Sequence, residues 1–136
     1  MPAIRKSVQL PHPPEMVWDA LTDPVALAEW LMPNDFRPEV GHRFTFRTDP
    51  APGFDGIVHC EVRALEPTER LSFTWVAGKI DTLVTFTLTR QPAGTRLDLL
   101  HEGFALRQLP TQLILTMGWG RILRRRLLAT LNKETN

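Results

Sequence analysis

The stretch Pro110–Leu131, PTQLILTMGWGRILRRRLLATL, decides the fold. It reads as one long amphipathic helix. Leu113, Met117, Leu123, Leu127 and Leu131 recur at helical spacing with Trp119 beside them, and Arg121, Arg124, Arg125 and Arg126 interrupt them on other faces. At about 1.5 Å per residue such a helix is roughly 33 Å long, the width of a small domain. A run of hairpin-forming strands precedes it. A small β-rich chain with one such helix at its end lays that helix across its sheet. If the sheet curls around the helix, the space between them becomes a pocket, so the question is what this chain could hold more than what it could cut.

Working outward toward the N-terminus, the β signals are regular. Thr95 to His101 turns Leu97, Leu99 and His101 to one face, and Pro92-Ala93-Gly94 is a hairpin turn before it. Thr82 to Thr89 alternates through Val84, Phe86 and Leu88. Arg70 to Ala77 does so through Leu71, Phe73 and Trp75, and Gly56 to Leu65 through Val58, Cys60, Val62 and Ala64. His42 to Thr48 places Phe44 and Phe46 together. Ile4 to Leu10 alternates imperfectly, because Lys6 falls on the face of Ile4, Val8 and Leu10. Between this first strand and the others lie two short helices. Pro13 to Leu21 has proline in its first turn and Glu15 near its N-terminus; Pro24 to Trp30 has Asp23 as N-cap. The expectation is an α+β fold: a curved antiparallel sheet of about six strands wrapped around the long C-terminal helix, with two short helices after strand 1.

Length and composition agree with one domain over residues 1–136. The chain is 43% apolar and 23% charged, enough for a real core in an ordinary soluble protein. A net charge of +1 gives no whole-chain field for nucleic acid, and the Arg124-Arg125-Arg126 run fans around the helix rather than forming one patch. The single cysteine, Cys60, rules out an internal disulfide and fits a cytoplasmic location. Met1 to Lys6 leads straight into a strand pattern without an apolar leader, and no apolar run reaches the roughly 20 residues of a membrane span.

Four stretches carry a family resemblance: PPEMVWDALTDPVALAEWLMP (Pro13–Pro33), VGHRFTF (Val40–Phe46), GTRLDLLHEGF (Gly94–Phe104) and MGW (Met117–Trp119). With the strand order, they make the chain similar to the helix-grip superfamily of START, birch-allergen-like and polyketide-cyclase proteins (SRPBCC). Within it, the chain resembles the branch of the C-terminal domain of the activator of heat-shock protein 90 ATPase. It departs from that branch at Trp30-Leu31-Met32-Pro33, at Gly41-His42, and in the arginine-rich helix with Gly118 and Gly120 around Trp119. The resemblance implies a pocket between sheet and helix for lipid-like or polycyclic aromatic compounds.

No phosphate loop, nucleophile elbow or His-Glu-x-x-His motif occurs, so neither a catalytic set nor a metal site nor a cofactor is expected. His59 and Cys60 are strand neighbours on opposite faces and cannot share a ligand. Of the four histidines, His101 is the sharpest candidate. On the inner face it either orients a polar ligand group or acts as general base, or it simply hydrogen-bonds locally and closes the core. Trp30, Phe44, Phe46, Phe73, Trp75, Phe86 and Trp119 come out inward-facing. With Cys60, Leu99, His101, Met117 and Leu123 they form the expected cavity lining. Their alternative is a filled core; for Cys60 it is a small buried residue.

Three functions follow. The first is a small-molecule-binding protein for an apolar, aromatic or lipid-like compound, without catalysis. The second is a cyclase- or hydrolase-type enzyme using His101. The third is a protein-interaction or co-chaperone-like domain using the charge around Arg121–Arg126 and the strand edges. Two copies pairing as a homodimer stay open. Leu109, Leu113, Ile114 and Leu115 lie close together, and any of them left exposed would mark a partner site or a pocket lid.

Overall fold

The computed structural model describes residues 3–134, the side chains of Leu109 and Glu134 excepted. The element order is β1 (Ala3–Leu10), α1 (Pro14–Thr22), α2 (Pro24–Trp30), β2 (Arg43–Arg47), β3 (Ile57–Glu66), β4 (Arg70–Ala77), β5 (Ile80–Gln91) and β6 (Gly94–Glu102). After a 3-10 turn at Leu106–Gln108 the long helix runs as α3 (Leu109–Arg121), a π-helical stretch (Ile122–Leu127) and α4 (Leu128–Glu134). The sheet is fully antiparallel in the order β1-β6-β5-β4-β3-β2. The meander β2 to β6 follows from the short turns. The closure of β1 onto β6 makes the first strand an edge beside the last.

Alternation sets the inner face as expected. Leu71, Phe73 and Trp75 of β4, Val84 and Phe86 of β5, and Leu97 and Leu99 of β6 are all buried in one core with Leu123, Leu127 and Leu131 of the long helix. A bulge between Val62 and Ala64 shifts the register against β4, so Leu65 rather than Ala64 packs on the core. Trp30 pins the two short helices together: its indole N–H donates to the carbonyl of Ala20 at 2.8 Å. Asp23 caps α2 by accepting from the amide of Val25. At the β5–β6 turn, Gly94 has φ +148° and its Cα faces the end of β1 so closely that a Cβ would stand 2.0 Å from the carbonyl oxygen of Leu10.

The π-helical stretch has a reason in the sequence. Trp119, Leu123, Leu127 and Leu131 are spaced by four, and each step of four overshoots a 3.6-residue turn by about 40°. A wider turn at Ile122–Leu127 absorbs the drift, and all four side chains stay inward, none more than 2% exposed.

The N-terminal half of the helix corrects the sequence reading. Leu113 is 65% exposed and Met117 76% exposed, so Met117 lines no interior cavity. Trp119 fixes the rotation of α3, and Met117, two residues earlier, points roughly 160° away from it. The side of α3 turned to the sheet carries Gln112, Leu115, Thr116 and Trp119 instead. Ile114 is exposed too, Leu115 is half-buried, and the side chain of Leu109 lies outside the described residues.

Candidate functional site

The inner face of the sheet and Trp119 of the helix build one aromatic cluster. β2 supplies Phe44 and Phe46, β4 Phe73 and Trp75, β5 Phe86, and α2 Trp30. Ring centroids lie 5.7 Å apart for Phe46 and Trp75, 5.6 Å for Trp75 and Trp119, 6.0 Å for Phe86 and Trp119, and 6.1 Å for Trp30 and Phe86. These are edge-to-face and tilted contacts of the kind aromatic quadrupoles favour. Cys60, Leu99, His101 and Leu123 are buried with them. The structure thus brings together every residue of the expected lining except Met117, and the rings contact one another.

His101 is fully buried and its surroundings assign its state. The indole N–H of Trp119 donates to Nδ1 at 3.1 Å, so Nδ1 is an acceptor. Nε2 lies 2.7 Å from the hydroxyl of Thr82, and that hydroxyl donates to the carbonyl of Trp75 at 2.8 Å. The hydroxyl proton is therefore committed, and Nε2 must carry the hydrogen and donate to Thr82. The chain Trp119 to His101 to Thr82 to Trp75 runs in one direction and closes only for a neutral imidazole of the Nε2–H tautomer. Burial pushes the imidazole down to about 4, which fits. Both nitrogens are spent on protein partners, as a local, core-closing histidine requires. Sequence parity placed His101 inward but gave no hint of Thr82, whose own face on β5 also carries the apolar Val84 and Phe86.

Other groups are quiescent. The Cys60 thiol is pushed up by burial, with the negative charge of Asp35 adding to it, so it is not a nucleophile at neutral pH. Asp35 itself is held below the usual carboxylate range, chiefly by the amide of Thr45 donating to it at 2.7 Å. It borders a cavity of about 380 Å³ on the outer face of β2, β3 and β4, with Arg43, Thr45, His59, Glu61 and Thr74. Arg43 and Glu61 pair with each other there. A second groove of about 260 Å³ lies where Pro11–Pro13 meet the β5–β6 turn. Among the described residues no cluster of His, Cys, Asp or Glu could hold a metal ion. No helix there is long and apolar enough to cross a membrane.

Two polar groups at the seam between the long helix and β1 escaped the sequence reading. Gln112 donates through Nε2 to the carbonyl of Ala3 at 3.2 Å, while its Oε1 is buried without a partner among the described residues. Lys6, the odd inward residue of β1, runs past Gly120, its Nζ 3.8 Å from where a Cβ there would stand, an ordinary contact. The break in alternation at Lys6 was the available signal; Gln112 needed the rotation of the helix.

The model of the family described as "Activator of Hsp90 ATPase homolog 1-like protein" matches residues 11–132. Among solved structures, the chain is similar to protein MLL2253 from Mesorhizobium loti, with 39% identity and a TM-score of 0.89 over 97% of this chain and 98% of that one. It is similar to protein BH1534 from Bacillus halodurans, at 28% identity and a TM-score of 0.82 over 96% and 97%. It also resembles DynU16, a protein of the dynemicin biosynthetic locus, at 27% identity and a TM-score of 0.78; the match covers 96% of this chain and 47% of that one. No curated protein matches.

Proposed function

Because the chain belongs to the family of Activator of Hsp90 ATPase homolog 1-like proteins, we propose that it is a single-domain, cytoplasmic small-molecule-binding protein. It holds an apolar, aromatic or lipid-like compound between the sheet and the long helix, without catalysing its conversion. The observation that carries this reading is the mismatch at α3. The aromatic floor is continuous, yet beside it the first half of α3 turns Gln112 and Thr116 toward β1, leaves Gln112 Oε1 without a partner among the described residues, and sends Leu113, Ile114 and Met117 outward. A helix half that buries so few apolar side chains costs little to displace, because little apolar area is lost when it lifts. A planar apolar compound lies between the rings and the lifted helix half, and a hydroxyl or amide on it donates to Gln112 Oε1. An aromatic floor with His101 neutral and fully bonded suits binding better than acid–base chemistry. The relative from the dynemicin locus supports a setting in which small molecules are handled.

The test is a native mass spectrum of the purified protein, followed by thermal-shift measurements with polycyclic aromatic and lipid-like compounds. A co-purified mass, or a midpoint raised by several degrees and no longer raised in Trp75→Ala, is expected. No bound mass and no shift with any compound would overturn the reading.

A further inference from the structure

We propose that the outer face of the long helix docks on an anionic lipid surface. One line of side chains runs along this face. Leu113, Ile114 and Met117, with Pro110 before them, are exposed over the first turns of α3, and Leu106 in the turn ahead of them is exposed as well. Arg121, Arg124 and Arg125 continue the same face across the π-helical stretch. Arg126 does not belong to it: its guanidinium donates to the carbonyls of Leu31 and Glu29 at the end of α2. From Pro110 to Arg125 the line is roughly 22 Å long, apolar at one end and cationic at the other.

Charge complementarity selects the occupant. Between Gly103 and Lys133 the sequence has six cations and no Asp or Glu, whereas residues 1–102 carry ten cations and fourteen acids. The chain's net +1 thus hides a helical segment of strong positive charge. None of the ion pairs among the described residues uses Arg121, Arg124 or Arg125. A second copy meeting this face would present the same cations and no acids. A peptide helix needs a groove, and these side chains stand on the solvent side of the outermost layer. A lipid surface matches both ends: apolar side chains enter the acyl boundary while the arginines meet headgroup phosphates. The face lies opposite Trp119, so docking makes no contact with the aromatic floor.

The test is flotation of the intact protein with vesicles of phosphatidylcholine alone and with about one-third phosphatidylglycerol, at about 0.05 M and about 0.5 M salt. Binding is expected on the anionic vesicles only, and weaker at high salt. Each arginine at such a surface changes partitioning roughly fivefold, so Arg124→Glu with Arg125→Glu should weaken it at least roughly thirtyfold. Ile114→Gln should weaken it while leaving binding to polyglutamate unchanged. Arg121→Gln with Arg124→Gln is the milder substitute if the charge reversal unfolds the chain; unchanged thermal midpoints certify the comparison. No flotation on anionic vesicles at low salt would overturn the proposal. So would flotation insensitive to Ile114→Gln, which would leave only a site for soluble polyanions. A dimer in light scattering that Ile114→Gln splits would also overturn it, because the face would then be closed by a second copy.

Discussion

Acidification from pH 7 to pH 5 is expected to weaken the fold by about 2 kcal/mol through His101 alone. In the native state its imidazole is pushed down to about 4 by burial, against 6.5 for the free side chain. Between these values the unfolded chain binds a proton that the native chain refuses, so stability rises with pH and falls on acidification. The contribution is full above pH 6.5, declines by about 1.4 kcal/mol per pH unit below it, and is exhausted near pH 4, for a total of about 3 kcal/mol. The structural cause is concrete. Protonation puts hydrogen on Nδ1, where the Trp119 indole N–H already points, and places a charge among Trp75, Phe104 and Trp119. Stopping at pH 5 avoids carboxylates such as Asp35, whose lowered pKa matters only as the pH nears its unfolded value of 3.8. The assay is urea unfolding of the wild type and of His101→Gln, whose amide can accept from Trp119 and donate to Thr82 without titrating. The difference between the two should change by about 2 kcal/mol from pH 7 to 5, or roughly 5–10 °C in thermal midpoint. A difference independent of pH would refute the claim that His101 is enclosed and neutral.

Gly94→Ala should destabilise by more than about 1 kcal/mol in thermal or denaturant unfolding, because the added methyl meets the Leu10 carbonyl at 2.0 Å and φ is +148°; an unchanged midpoint would mean that the β5–β6 turn does not press on the end of β1. The Cys60 thiol, 4% exposed and pushed up by burial, should resist an aromatic disulfide reagent at pH 8 and react once the chain is unfolded in urea. Stoichiometric labelling of the native protein at the rate of a free cysteine would contradict its burial.

The alternation of Phe44 and Phe46, Leu71 to Trp75, Val84 to Leu88 and Leu97 to His101 determined the strands, their inner face and the antiparallel meander before any coordinate was known, because a pleated strand sorts its side chains by parity alone. Asp23-Pro24 likewise set the start of the second helix. The family was legible in four short stretches and is borne out by the match over residues 11–132. The rotation of the long helix was not legible. Leu113 and Met117 share apolar character with Trp119, and composition cannot say which of two apolar faces turns inward. That was decided by one hydrogen bond from Trp119 to His101, a partner 18 residues away, and by a π-helical stretch that holds Leu123 and Leu127 in line with it. The pairing of Thr82 with His101, and a Gln112 Oε1 without a partner among the described residues, follow from the same rotation and register. Local periodicity fixes which residues can face together; only the packing of distant elements fixes which of them do.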